Sequence, residues 1–223
     1  MCRFAAGRAG RIPGGKRQIG SEASENRDGQ LYAYAWIGTL QGMTETITIR
    51  RPTAVPGDDV SAPTFTLDRP LDGLRVGLRT DLAWRSWQLI ADIWADYLRR
   101  DGAEPVTVET SAQVGDTGSA DRSHIEQLAD DVDCAIVGLG TCGSCTSFAI
   151  ADAVIVEQHR KPSVAVVAEE FATHGRNMAR HLGHGDLKIL VLPYPLEARP
   201  ERELREIADT YYPTALKMLG VEP

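Results

Sequence analysis

The sequence contains no stretch of about 20 apolar residues, the length that a helix needs to cross a bilayer. Its basic amino end also lacks the apolar core of a signal peptide. Basic residues are fewer than acidic ones: the chain has 24 Lys and Arg residues and 31 Asp and Glu residues, for a net charge of −7. This balance argues against a general nucleic-acid binder. We therefore expect a cytoplasmic protein that binds neither membrane nor nucleic acid.

Cysteine is scarce, with four residues in the chain, and their spacing does not suit a structural zinc site. Cys142 and Cys145 form one Cys-x-x-Cys pair, but the sequence offers neither a second such pair nor a closely spaced His pair to complete four ligands. Cys134 lies near the start of the predicted strand that precedes this pair, about 13 Å from the far end of the strand at about 3.3 Å per residue, so it does not readily join the two cysteines as a ligand. The glycines at 138–143 do not follow the order of a dinucleotide loop. We predict no metal and no cofactor.

What the chain does have is a buried strand that leads through two cysteines into a helix. Residues 135–137 are small or β-branched and apolar, glycines at 138, 140 and 143 allow a sharp turn, and a helix is predicted over 146–156. The first turn of a helix has unpaired N–H groups and the positive end of the dipole, which both favour a thiolate. Cys142 is therefore the predicted nucleophile, and Cys145 is placed to form a disulfide with it.

The amides at this helix start give the site a second predicted role. Backbone N–H groups of Gly143, Ser144 and Thr146 are expected to stabilise negative charge during attack and to contact the substrate. For Cys142 and Cys145 themselves, the alternative to reactive thiols is a structural pair of cysteines, or two buried cysteines without reactivity.

The segment Gly-x-Cys-Gly-Ser-Cys-Thr-Ser at 140–147, with Asp152-Ala153 and Glu169-Glu170-Phe171 after it, resembles the UGSC family of selenoproteins and their cysteine homologues. The resemblance runs from about Leu74 to Leu196. It implies that Cys142 stands at the position that selenocysteine or cysteine holds in that family. A looser resemblance, to the selenocysteine-containing subunit of glycine reductase, implies a small amine-bearing acid or its activated imine as substrate, and a partner subunit.

Five predicted strands alternate with helices in the second part of the chain. The strands are 74–78, 105–109, 135–137, 163–167 and 187–192, and the helices are 81–100 with Asp81 as N-cap, 124–131, 146–156, one from 169 and one at 200–213, with a polar loop over 111–121. In the first helix, Trp87 and Trp94 recur at helical spacing, which is more typical of a core face than of a ligand site.

This order indicates an α/β fold, a single three-layer αβα domain with a mostly parallel, five-stranded, Rossmann-like sheet. Right-handed crossovers and one change of winding direction predict the flavodoxin-like strand order 2-1-3-4-5. We assign 71–223 to this domain, 1–42 to an unstructured arm and 43–70 to an extended linker that wraps the domain or extends freely.

Ligands of such sheets bind beyond the carboxyl ends of the strands, beside the switch point where Cys142 lies. The loop after the first strand offers Arg79 and Asp81, with Trp84 nearby, and the loop after the fifth offers Tyr194. Arg79 is suited to bind a substrate carboxylate through two parallel hydrogen bonds. A solvated surface charge is the alternative interpretation.

The loop after the fourth strand offers acid and base groups. Glu169 is a candidate for proton transfer, whereas Glu170 is better explained by its favourable charge at a helix start. His174 shares a helix face with Phe171 and Met178, so it is either a partly buried histidine or a proton donor in the cleft.

These features favour a thiol-dependent oxidoreductase that acts on a small electrophile, with Cys142 as nucleophile and Cys145 as resolving thiol. Its expected partners are the small-molecule substrate, an external thiol reductant, and a partner subunit or a second copy of the chain. One alternative is a non-redox cysteine lyase, racemase or C–S bond-forming enzyme, since residues 144–147 weakly resemble the Gly-Cys-Thr loop of aspartate/glutamate racemases. The other is a non-catalytic, redox-sensing subunit.

Overall fold

The computed structural model describes residues 21–25, 31–35, 61–111 and 115–221. The chain divides into two units, Met1–Gly57 and Asp58–Pro223. In the first unit, strands β1 (Ser21–Glu25) and β2 (Leu31–Ala35) pair antiparallel. This ribbon lies within the segment 1–42 that was expected to be unstructured, and the remainder of that segment lies outside the described residues.

The second unit is an α/β domain in which strands and helices alternate. Its elements are β3 (Arg75–Asp81), α1 (Arg85–Arg100), β4 (Glu104–Thr110), α2 (Gly115–Asp131), β5 (Cys134–Gly140), α3 (Gly143–Gln158), β6 (Ser163–Ala168), a 3-10 turn (Glu169–Phe171), α4 (Ala172–His181), β7 (Lys188–Leu192) and α5 (Glu201–Leu219). The five strands are parallel, in the order β4-β3-β5-β6-β7. Counted within this domain the order is 2-1-3-4-5, so the predicted flavodoxin-like sheet is confirmed.

Helices cover both faces of the sheet, which explains why β5 and β6 are almost entirely apolar. On one face α1 and α5 pack over alternate side chains of β3, β5 and β6, with Trp87 and Trp94 edge to face at 5.5 Å between ring centres. On the other face α3 and α4 pack over the remaining side chains of β5 and β6. Every residue of β5 is buried, so this strand fixes the depth and direction of the loop that carries the cysteines.

Two of the predicted helix boundaries differ most from the structure. The polar loop expected over 111–121 is helical from Gly115, because the buried carboxylate of Asp121 accepts hydrogen bonds from Ser111 N and Oγ at 2.9 and 3.0 Å and ties α2 to the end of β4. The last helix does not stop at Pro213 but continues to Leu219, where Gly220 ends it at a φ of 90°. Burial of side chains beyond the proline outweighs the hydrogen bond that proline cannot donate.

The linker predicted over 43–70 is described from residue 61 onward, and this part wraps the domain. Phe65 N donates to the Glu157 carboxylate at 3.0 Å, and Lys188 donates to the carbonyl of Phe65. Leu67 N donates to Leu219 O at 2.8 Å. Residues 43–60 lie outside the described part of the chain.

Candidate functional site

The two cysteines lie where the carboxyl end of β5 meets the amino end of α3. The register of β5 with β6 is regular up to Val137 and shifts between Val137 and Gly140. The chain therefore changes direction just before the cysteines. A Cβ atom at Gly140 would lie 2.8 Å from Thr146 Oγ1 and 2.9 Å from Val167 Cγ1. Glycine at 140 therefore allows the first turn of α3 to pack directly on the end of its own strand.

Cys142 is the N-cap of α3, and its sulfur does what a capping oxygen does elsewhere. The Cys142 Sγ accepts a hydrogen bond from Cys145 N at 3.2 Å, while Thr146 Oγ1 donates to Cys142 O at 2.7 Å. Cys142 Sγ lies 2.7 Å from Cys145 Sγ and 3.4 Å from Ser144 Oγ. Both cysteines are free thiols that remain partly exposed, so the predicted meeting of the two side chains at a helix start is confirmed.

The surroundings of the two sulfurs shift the pKa values of Cys142 and Cys145 in opposite directions. Burial raises the pKa of Cys142, but hydrogen bonds from the Cys145 thiol, the Ser144 hydroxyl and the backbone of both residues outweigh it and hold that pKa below its ordinary value. Burial raises the pKa of Cys145 to about 11, and its hydrogen bond to Cys142 adds to the effect. Cys142 therefore loses its proton first, which suits a nucleophile beside a protonated resolving thiol.

Arg79 is not on the rim, where sequence analysis placed it. Strand β3 extends to Asp81, beyond the predicted end at Leu78, so Arg79 lies inside the strand and is 0% exposed. Its Nη1 donates to Gly138 O at 2.7 Å, and its Nε lies 3.0 Å from the Asp152 carboxylate of α3. Arg79 is therefore neither an accessible group that binds a substrate carboxylate, as predicted, nor a solvated surface charge. Arg79 instead joins β3, β5 and α3 beneath the cysteines.

Asp81 begins a turn and is not the N-cap predicted for α1. Its Oδ1 accepts from Ala83 N at 2.8 Å, and its charge contributes to the raised pKa of Cys145. The N-cap position of α1 belongs to Trp84. The indole Nε1 of Trp84 donates to Cys145 Sγ at 3.2 Å, which makes it a member of the site. Trp84 was predicted to lie near the rim, but no pattern in the sequence indicates its contact with Cys145.

His174 reaches the cysteine loop from α4, but it contacts backbone rather than sulfur. Its Nε2 lies 3.1 Å from Gly143 O and 3.1 Å from Ser147 Oγ, and Ser147 Oγ donates to Gly143 O at 3.0 Å. Because a carbonyl can only accept, Nε2 carries a proton in this arrangement. His174 therefore steadies the first turn of α3.

The remaining predicted residues lie on the rim without touching the sulfurs. Glu169 and Glu170 are exposed in the 3-10 turn after β6. Tyr194 is 44% exposed and packs against Phe171 at 6.2 Å between ring centres. In the part of the chain that is described, no hydrogen bond or ion pair joins Glu169 or Tyr194 to either cysteine.

Cys134 is separated from the pair by the length of β5. It is fully buried at the strand's amino end, and burial raises its pKa to about 12. Among the described side chains there is no group of three or more His, Cys, Asp and Glu residues that could hold a metal ion.

The candidate site lies in a part of the chain that a known family model covers. The family model described as UGSC family matches residues 48–221. The chain belongs to the UGSC family. The match includes the described part of the linker, from residue 61, and the whole α/β domain. The segment Cys142-Gly143-Ser144-Cys145 therefore lies inside a UGSC domain. A search of curated proteins gave no match. Within the described residues of this UGSC protein, none of the helices has both the length and the apolar character of a membrane span.

Proposed function

We propose that the protein is a thiol-dependent oxidoreductase in which Cys142 is the nucleophile and Cys145 the resolving thiol. The observation that carries this proposal is the 2.7 Å separation between the two sulfurs at the start of α3, with Cys142 capping the helix. A structural pair of inert cysteines would need neither partial exposure nor opposed acidities.

The first step is attack by the Cys142 thiolate on an electrophilic atom of the substrate. One bond forms from sulfur to that atom, and the leaving group departs with its electron pair. The backbone N–H groups of Gly143 and Ser144, at the start of α3, stabilise the negative charge. Thr146, which was predicted to join them, is fully buried, and its N donates to Cys142 O at 3.0 Å. Gly143 and Ser144 are exposed there, which leaves room for a small substrate.

In the second step Cys145 gives up its proton and attacks the Cys142 sulfur. The S–S bond forms, and the substrate-derived group leaves with an electron pair and takes a proton. The two cysteines thereby lose two electrons to the product, and an external thiol reductant returns them. A cycle of this kind suits the cytoplasm, where thiol reductants are abundant.

This second step limits the class of substrate. Displacement at sulfur is easy when the departing atom is sulfur or oxygen, because each carries negative charge well. Departure of carbon requires a stabilised carbanion, such as one next to an imine or carboxyl group. The proposed substrates are therefore small disulfides and hydroperoxides, or small acids whose reacting carbon is activated in this way. Since Arg79 is buried, an anionic group would meet the amides of α3.

The test compares wild type with Cys142→Ser, Cys145→Ser and the control Cys134→Ala. Each protein is first reduced and freed of reductant, then mixed with one small disulfide, one hydroperoxide and one α-halo acid, and consumption and intact mass are followed against a protein-free reaction. We expect wild type and Cys134→Ala to consume one equivalent of a substrate and to lose two hydrogens as the disulfide forms, Cys145→Ser to keep a trapped adduct, and Cys142→Ser to do neither. Repeated consumption by Cys145→Ser without a reductant indicates non-redox cysteine chemistry. If wild type consumes none of the probes and its disulfide state alters binding to another protein, the chain is a sensor.

A further inference from the structure

Trp84 differs from the other described tryptophans in what its indole N–H contacts. Trp87 Nε1 donates to Arg79 O at 3.0 Å and Trp94 Nε1 donates to Ala208 O at 2.9 Å, so both bond backbone carbonyls inside the core. Trp84 Nε1 donates to Cys145 Sγ at 3.2 Å. A half-buried indole whose only polar atom points at the resolving sulfur is placed to act on that sulfur.

The backbone that carries Trp84 is held from two directions. Trp84 N donates to Asp81 O at 3.3 Å, and Gln88 Nε2 donates to the same carbonyl at 3.2 Å. From the loop after β7, the Glu197 carboxylate accepts a hydrogen bond from Ser86 N at 2.9 Å and another from Ser86 Oγ. The start of α1 is therefore fixed by its own turn and by a distant loop, and the indole meets Cys145 without rearrangement.

The three groups form a chain of hydrogen bonds that ends at the nucleophile. With both thiols protonated, Cys145 Sγ accepts from Cys142 as well as from Trp84. When Cys142 loses its proton, the remaining thiol hydrogen belongs to Cys145, and a thiolate can only accept. The bond between the sulfurs then runs from Cys145 to Cys142. Because each bond polarises the next, the indole N–H makes Cys145 a stronger donor to the thiolate.

We propose that Trp84 is a positioning residue of the thiol pair, which orients Cys145 and, through it, stabilises the thiolate form of Cys142. This inference rests on the proposed function. The pKa directions agree with it, because burial raises the pKa of Cys145 while the hydrogen bond from Trp84 lowers it. The indole thus partly offsets the effect of burial on the pKa of Cys145, and the Cys145 proton is donated to the Cys142 thiolate alone.

The test is the pH dependence of Cys142 alkylation by iodoacetamide, followed by peptide mass spectrometry. Trp84→Phe keeps an aromatic ring but has no N–H donor. We expect it to raise the pKa of Cys142 and to slow alkylation at pH 7 by about two- to tenfold, the range expected for one net hydrogen bond. Trp94→Phe also removes an indole N–H, but far from the sulfurs, and is expected to leave the alkylation profile unchanged.

A second pair of variants separates action through Cys145 from a general effect on the loop. In Cys145→Ala the chain of hydrogen bonds is interrupted, so adding Trp84→Phe is expected to change the Cys142 profile no further. An equal shift in both backgrounds, or none in either, overturns the role of Trp84. The proposed function is judged separately, since reversible disulfide formation by wild-type protein in glutathione buffers does not depend on the result for Trp84→Phe.

Discussion

The guanidinium of Arg79 lies 3.0 Å from the carboxylate of Asp152, and both side chains are buried. This ion pair joins the strand next to the switch point to the helix whose first turn carries the cysteines. Arg79 also donates to Gly138 O, within the strand that ends at the same loop. The charged pair thus lies beneath the candidate site and connects the three elements that shape it.

Replacing Arg79 with Met is expected to destabilise the fold by about 3–5 kcal/mol, because it leaves a buried carboxylate without this cation. Urea unfolding at pH 7 measures the loss. The exposed pair of Arg122 and Glu126, at 3.1 Å on α2, provides the control, and Arg122→Gln is expected to cost less than about 1 kcal/mol. Equal effects of the two substitutions would contradict the structural role of Arg79.

Two glycines of the cysteine loop are expected to respond differently to alanine. At Gly140 the added Cβ would lie 2.8 Å from Thr146 Oγ1, whereas at Gly143 nothing lies within 4 Å of it. Gly140→Ala should therefore cost about 1–3 kcal/mol through overpacking. Gly143→Ala should be neutral or stabilise by up to about 1 kcal/mol. Thermal and urea unfolding of both variants decide the matter, and a tolerated alanine at 140 would show that the turn is looser than described.

Stability should fall in alkaline solution, because the thiols of Cys134 and Cys145 have raised pKa values of about 12 and about 11. Both thiols are protonated in folded and unfolded chains below about pH 8.5. As the pH rises further, the unfolded chain loses these protons first, so unfolding is favoured. Cys142 acts in the opposite sense, since its lowered pKa adds stability as the pH rises toward about 8.5.

Cys134→Ala isolates one part of this effect. Between about pH 9 and 11, its free energy of unfolding should fall less steeply than that of wild type, by about 1.4 kcal/mol per pH unit. Denaturant titrations at several pH values provide the slopes. Parallel curves for the two proteins would mean that burial does not keep Cys134 protonated.

His174→Ala should loosen the first turn of α3, because it removes the contacts with Gly143 O and Ser147 Oγ at 3.1 Å. We expect a loss of about 1–2 kcal/mol and faster amide exchange in that turn. His181→Ala, in the exposed last turn of the same helix, is the matched control. Unchanged exchange in His174→Ala would leave proton donation in the cleft as the better explanation for this histidine.

Some parts of this arrangement were predictable because they depend on neighbours in sequence. The apolar run before Gly138, the glycines and the Cys-x-x-Cys spacing placed Cys142 at a helix start, and the regular alternation of elements predicted the sheet order. Periodicity also identified Trp87 and Trp94 as core residues, and both are buried.

The errors came from contacts between residues distant in sequence. Arg79 was expected on the rim because an arginine after an apolar strand usually marks its end, and nothing near it in sequence indicated Asp152 as its partner. The amino end of α2 contains glycine, serine and threonine, which favour turns, and the tie between Asp121 and Ser111 has no local signature. The contact of Trp84 with Cys145 likewise depends on how β3 and β5 bring their following loops together.

The most direct test of the account is a redox titration of the intact protein in glutathione buffers, read by mass and by Cys142 alkylation. We predict that wild type loses two hydrogens reversibly at one midpoint potential, that Cys142→Ser and Cys145→Ser do not, and that reduced Cys142 alkylates with a pKa below the ordinary value of about 8.5. If the two thiols never pair, and Cys142 alkylates as slowly as an ordinary cysteine, the assignment of nucleophile and resolving thiol is wrong.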